Sequence, residues 1–230
     1  NGAWDGTVKP LVDLWGFGTR DPADAPPDPA AITQALSLTG FQYLVRKNNH
    51  LTKTKPDITL DLGSIAKGYG VDAIARVLTL SGINNFLVEI GGELYGSGVN
   101  RHKKPWSIGI TNPLKTGSNA GLFKVVSLEN RAIATSGDYR NYFEFRGSIY
   151  SHIIDPKTGF PVDNQVVSTS VIAGTCTFAD ALATALMVMD PAEGLALVNR
   201  LEDVECLIMQ KTPAGFTESA SQGFHSFVQP

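Results

Sequence analysis

Cysteine is scarce in this chain of 230 residues, which has only Cys176 and Cys206. Their spacing matches neither a zinc site nor a disulfide framework, so a small fold stapled by metal or bridges is excluded. Cys206 lies in the apolar run VECLIM (204–209) and reads as a buried thiol; pairing with Cys176 is left open. Basic charge is not in excess either. Nineteen Lys and Arg stand against 22 Asp and Glu, a net charge of −3, which lacks the footprint of non-specific nucleic-acid binding. No apolar run approaches the ~20 residues that a membrane-crossing helix needs. The chain opens on Asn1-Gly2-Ala3-Trp4, with neither the charged start and apolar core of a signal peptide nor an initiator Met. A processed or cut N-terminus is the expectation. Two nucleotide-binding patterns are missing as well: the P-loop's Gly, four residues and Gly-Lys-Ser/Thr, and the GxGxxG of dinucleotide folds.

What is present is an ordinary globular composition, with room for one large domain or two small ones. The 23 glycines cluster at the ends of apolar runs, which implies many short elements joined by tight turns. A helix is predicted over 28–38, with Asp28 as N-cap and Pro29 at the first helical position. FQYLV (41–45) and ITLDLG (58–63) read as strands. A second helix is predicted from Ser64 to Ser81, with Ile65, Tyr69, Ala73, Ile74, Val77 and Leu78 as its apolar positions and Gly82 closing it. NFLVEIGG (85–92) reads as a buried strand. Further strands are expected at 106–110, 123–128, 132–136, 142–147, 151–155 and 166–174. Helices return at 177–189 and 191–200, followed by strands at 204–209 and 214–218. Strand runs that succeed one another without intervening helices imply an α+β fold, a mostly antiparallel sheet with several packed helices.

Four segments could carry chemistry. In TFADALATALMVMD (177–190), Asp180 and Thr184 lie one helical turn apart on the same side, while Leu182, Ala185, Leu186 and Met189 cover a buried face. A carboxylate beside a hydroxyl suits a hard cation such as Mg²⁺; alternatively Thr177 or Asp180 caps the helix. LDLGSIAKGYGVD (60–72) is a strand, a glycine turn and a helix start. Its N–H groups could seat a phosphate with Lys67 adding charge, or Ser64 could simply be the N-cap. SHIIDPKTGFP (151–161) sets His152 at a strand end beside a turn that opens at Asp155-Pro156 and ends at Gly159. That suits proton transfer, or a structural histidine. In LVDLWGFGTR (11–20), Trp15, Gly16 and Phe17 could stack a heterocycle or anchor the loop to the core. A Ser-Gly-Asp turn in AIATSGDYRN (132–141) and the paired glycines of EIGGELYGSG (89–98) complete a set that suits nucleotide diphosphate chemistry.

In sequence and in order, PLVDLWGFG (10–18), LDLGSIAKGYGVD (60–72), VEIGGELYGSG (88–98), ATSGDYRNY (134–142), SHIIDPKTGFPV (151–162) and FADALATALMV (178–188) resemble the ApbE-type flavin transferases. The resemblance covers nearly the whole chain as a single domain and implies an ApbE-like (T-fold-like) architecture. It implies an enzyme that splits FAD, transfers FMN to a threonine of a target flavoprotein and releases AMP. Asp180 and Thr184 would hold Mg²⁺ together with the Ser64 carbonyl. His152 would be the base, with Asp155 either orienting it or serving the turn. Trp15, Gly16, Phe17, Asp61, Lys67 and Ile154 would contact FAD. The same residues could serve an FAD pyrophosphatase, and a non-catalytic flavin binder is the third reading. The segment that family members usually carry before the Leu-Trp-Gly-Phe-Gly loop is expected to be absent. Many members are lipid-anchored, which implies a periplasmic or cell-surface address on the inner membrane, with the cytoplasm as the alternative.

Overall fold

The computed structural model describes residues 2–18, 25–113, 121–138 and 141–230. Along the chain come α1 (Lys9–Leu14), α2 (Pro29–Ser37), β1 (Leu44–Lys47), β2 (His50–Lys53) and α3 (Gly63–Leu80). Five strands follow: β3 (Phe86–Ile90), β4 (Glu93–Ser97), β5 (Trp106–Thr111), β6 (Leu122–Leu128) and β7 (Arg131–Gly137). Next are β8 (Tyr142–Phe145), β9 (Ser148–Ser151), β10 (Val166–Ala173), α4 (Cys176–Val188) and α5 (Pro191–Val198). The last two strands are β11 (Glu205–Thr212) and β12 (Gly215–Ala220). The α+β class with antiparallel pairing is as expected. The chain divides into two compact units, residues 1–62 with 138–164, and residues 63–137 with 165–230.

The first unit is small and is held by α1, α2 and two hairpins, β1–β2 and β8–β9. Leu11, Trp15, Ile32, Ala35 and Ile154 form its core. Asp28 caps α2 as expected, accepting from the Ala30 N–H at 2.7 Å, with Pro29 next.

The second unit is a six-stranded sheet in the order β12-β11-β10-β7-β4-β3. One face packs on α3 and α4 through Val71, Ala75, Val88, Ala132 and Cys176. The other joins the β5–β6 ribbon in a larger cluster that includes Ile108, Val126, Ile172, Leu207 and Phe224. Central β10 is buried along its full length, so its Ser and Thr residues need partners within the fold. Thr169 Oγ1 donates to the Ala183 carbonyl of α4 at 2.7 Å, and Thr135 and Ser170 hydroxyls meet across β7 and β10 at 2.8 Å. Cys176 and Cys206 are separate buried thiols. Burial pushes the Cys206 thiol up to about 11 and raises that of Cys176 too, so both are inert near neutral pH.

Several expected elements differ from those observed. FQYLV begins as a 3-10 turn over Phe41–Tyr43, closed by the Tyr43 N–H on the Gly40 carbonyl, and becomes strand only from Leu44. ITLDLG is no strand: the Asp61 N–H bonds the Gly6 carbonyl at 2.8 Å, and Lys53 Nζ takes the Ile58 carbonyl at 2.9 Å. SHIID carries only Ser151 of a strand, then an isolated bridge between Ile154 and Pro161. β3 is an edge strand that alternates, with Phe86 and Val88 inside and Leu87 and Glu89 outside. The helix expected from Ser64 starts at Gly63, so Ser64 is not an N-cap. Its buried face is Gly68, Val71 and Ala75, whereas Tyr69, Ile74 and Val77 are exposed. The buried face differs from the one hydrophobicity selects because Gly68, lacking a Cβ, admits the backbone of α4.

Candidate functional site

The expected site residues fall into two groups, one in each unit. The first group sits where α3 meets α4. Gly68 is one turn into α3. Its N–H donates to Asp180 Oδ2 at 3.0 Å. A Cβ on Gly68 would stand 2.4 Å from the Cys176 carbonyl oxygen and 2.9 Å from Asp180 Cβ, so the two helices touch through a bare backbone. Asp72, four residues on, accepts from the Cys176 N–H at 2.8 Å, the Thr177 N–H at 2.9 Å and the Thr177 hydroxyl at 2.5 Å. The start of α4 is therefore capped by a carboxylate of α3, not by Thr177 or Asp180 as the sequence alone allowed. The local N-cap residue, Thr175, makes no side-chain cap bond.

Asp180 is 3% exposed. Burial raises its carboxyl to about 6, against the Gly68 hydrogen bond that lowers it; Glu93 raises it further and Lys67 opposes. Its Oδ1 has no protein partner among the described residues. Thr184, the next turn of α4, has its hydroxyl 3.2 Å from that of Ser136 at the end of β7. Lys67 Nζ pairs with Glu93 Oε1 at 2.7 Å, from a half-exposed side chain to one almost fully buried. Glu93 Oε2 has no hydrogen-bond partner among the described residues. Asp180, Thr184 and Ser64 are all in this unit, Ser64 half-buried in the first turn of α3.

The second group is aromatic. Trp15 is fully buried; its indole N–H donates to the Gly159 carbonyl at 2.8 Å, and its ring stacks on Tyr150. Tyr150 stacks on Phe143 in turn, with centroids 5.1 Å apart. Phe17 meets both Phe143 and the edge of His152. Of the two readings of the Trp-Gly-Phe loop, anchoring describes Trp15, while Phe17 is half-buried at the margin; Gly16 makes the turn between them with φ +80°. Ile154 points into the core beside Trp15. Asp61 is half-buried and held by its backbone.

His152 Nδ1 lies 3.0 Å from the Asn141 carbonyl oxygen. A carbonyl only accepts, so Nδ1 carries the proton toward Asn141. Asp155 has the turn role rather than the imidazole: its carbonyl accepts from the Gly159 N–H at 2.8 Å and its Oδ1 from the Lys157 N–H at 2.9 Å. Sequence reading passed over Gly68, Asp72, Glu93 and Asn141. Asp72 and Glu93 carried a signal, as acids inside an apolar helix and in a strand flanked by glycines. Asn141 acts through its backbone and carried none.

Residues 1–208 match the ApbE family. The chain is 45% identical to the FAD:protein FMN transferase of Vibrio cholerae, over 99% of this chain and 67% of that protein. It is 38% identical to the protein of the same name in Escherichia coli K12, over 99% of this chain and 65% of the other. Thus it spans about two thirds of the length of these curated relatives. Among solved structures, the flavin transferase ApbE of Vibrio cholerae superposes with a TM-score of 0.86 at 42% identity, covering 98% of this chain and 71% of that one. The ApbE protein of Thermotoga maritima gives 0.84 at 34% identity, covering 100% and 73%.

Proposed function

The chain belongs to the ApbE family, and from that premise we propose that it is an FAD:protein FMN transferase acting on a threonine hydroxyl of an acceptor flavoprotein. The observation that carries the reading is the buried Asp180, one carboxylate oxygen held by the Gly68 N–H and the other without a protein partner among the described residues, one turn from the Thr184 hydroxyl. Burial disfavours its anion, and a bound cation would offset that cost.

In this reading the threonine oxygen attacks the phosphorus that bears the flavin side of FAD. The P–O bond to the adenosine phosphate breaks, a phosphoester to threonine forms, and AMP leaves. In this reading His152 accepts the hydroxyl proton at Nε2, the ring nitrogen turned away from the Asn141 carbonyl. Lys67, half-exposed near the N-terminus of α3, supplies positive charge for phosphate oxygens. Trp15 holds the loop that carries Gly16 and Phe17, and Phe17, Asp61 and the backbone of Ile154 are the flavin or adenine contacts.

The donors fit Mg²⁺: the carboxylate of Asp180, the hydroxyl of Thr184 and the carbonyl of Ser64 are hard oxygens, and substrate phosphates complete such a set. When bound, the cation neutralises charge on the phosphoryl oxygens. The acceptor flavoprotein and a periplasmic or cell-surface address, with a lipid anchor outside this sequence, belong to the same proposal.

The deciding experiment measures AMP release from FAD and Mg²⁺ with and without an acceptor domain carrying a candidate threonine. Acceptor-dependent release, with flavin fluorescence on the acceptor in a denaturing gel, is the expected outcome. Release that ignores the acceptor would make the protein an FAD pyrophosphatase, and bound FAD without release would make it a flavin binder.

A further inference from the structure

If Asp180 holds the cation, something must hold Asp180. The structure gives that task to two residues of α3 for which the chemistry itself has no use. Gly68 and Asp72 are four apart and so project from one face of the helix. Gly68 supplies an N–H to Asp180 Oδ2 and, lacking a Cβ, allows the Cys176 carbonyl to lie against it. Asp72 takes three donors from the first turn of α4 with both its oxygens. An ordinary N-cap comes from its own chain neighbour and protects only the end of its helix. A cap from another helix also fixes where that end lies, since sliding or rolling α4 by a fraction of a turn would break all four bonds.

The geometry points to Gly68 and Asp72 as positioning residues that aim the unpartnered Asp180 oxygen, and the Thr184 hydroxyl one turn on, at the cation. The inference rests on the metal reading proposed above. It explains two residue choices. Three donors converge on Asp72, and an Asn there would offer one acceptor oxygen and turn an NH₂ toward a donor. Gly68 interrupts a helix in which propensity alone favours Ala, and the close approach of α4 gives the reason.

The test is Mn²⁺ binding, followed by electron paramagnetic resonance with FAD present, in the wild type and in Asp180→Ala, Asp72→Asn, Gly68→Ala and Thr177→Val. Amide hydrogen exchange at Cys176 and Thr177 is followed alongside. Asp72→Asn and Gly68→Ala are expected to weaken Mn²⁺ binding by about tenfold or more, the usual effect of removing a group that orients a metal ligand. Faster exchange of the two amides should accompany the loss in Asp72→Asn. Thr177→Val, which keeps both backbone donors to Asp72, should shift binding the same way by less. Wild-type Mn²⁺ affinity in folded Asp72→Asn or Gly68→Ala would overturn the positioning role. If neither folds, unchanged affinity in Thr177→Val overturns it instead. Wild-type affinity in Asp180→Ala would overturn the metal reading itself, which separates the two failures.

Discussion

Trp15 and Gly68 are the centres of the two regions that carry the candidate residues, and they fix their surroundings by opposite means. Around Trp15 the restraint is bulk: Tyr150, Phe143 and Phe17 stack or abut, and a single indole hydrogen bond sets the orientation. Around Gly68 the restraint is the absence of bulk. Two helices meet at a bare Cα, and four hydrogen bonds to two carboxylates set the register. Apolar burial is non-directional, and aromatic pairs accept both offset-stacked and edge-to-face arrangements. A polar joint in a buried setting has a narrow optimum and loses much when one partner goes. The first arrangement suits a surface that receives a flat ligand, and the second suits a charge that must stay aimed.

The largest expected effect comes from the aromatic region but is chemical. On the proposed reading, His152→Ala should slow FMN transfer by about 10²–10⁴-fold while FAD binding is kept, because the proposed base is lost and its packing partner Phe17 remains. Transient kinetics with separate FAD titration checks this. Equal loss of binding and of thermal stability would make His152 a packing residue and erase the chemical half of the contrast.

Trp15→Ala should cost about 3–5 kcal/mol of stability, the range for emptying a large buried aromatic site. Chemical denaturation checks the value, and Trp15→Phe, which keeps the ring but drops the Gly159 hydrogen bond, should lose less. If Trp15→Phe lost as much as Trp15→Ala, the single hydrogen bond rather than bulk would be the restraint here, and the two regions would be alike.

The polar joint has a pH signature. In the metal-free folded protein Asp180 keeps its proton up to about pH 6, whereas its ordinary value is 3.8. Between those values the folded state binds more protons than the unfolded one, so this contribution is fully present below pH 3.8 and is lost as pH rises through 6. The loss is about 3 kcal/mol at most, by the linkage of roughly 1.4 kcal/mol per pH unit. Urea unfolding with a chelator present, from pH 4 to 7.5, should show wild type losing stability relative to Asp180→Asn over this window. Parallel profiles would mean that the carboxylate is not strained by burial, and that no cation is needed to relieve it.

The same contrast decides what the sequence made legible. The antiparallel α+β class, the helix capped by Asp28 and the Gly82 stop followed from periodicity and turn chemistry, because each depends on near neighbours in the chain. The candidate residues were found through motifs and resemblance, and Asp180 with Thr184 through helical spacing. What stayed hidden was mediated by long-range backbone contacts. Gly68 faces inward against Cys176, more than a hundred residues away, while Tyr69 and Val77, which hydrophobicity places inside, are exposed. Asn141 orients His152 through a carbonyl that every residue possesses. Side-chain pattern reports bulk well and close backbone approach poorly.

The smallest effect is the sharpest control on this distinction. Asp28 and Asp190 are local caps, each accepting from N–H groups two or three residues ahead in its own helix. Asp28→Ala and Asp190→Ala should each cost about 1 kcal/mol of stability and, on the proposed reading, leave the Mg²⁺ concentration needed for half-maximal AMP release unchanged. Neither carboxylate bonds to α3 or α4, so helix fraying is all that is at stake. Asp72 is the same residue type making the same kind of bond, yet it bridges two helices, and its substitution should move the metal requirement as well. A local-cap variant that shifted the Mg²⁺ requirement as far as Asp72→Asn does would mean that general loosening governs the site, and the polar joint would have no special standing.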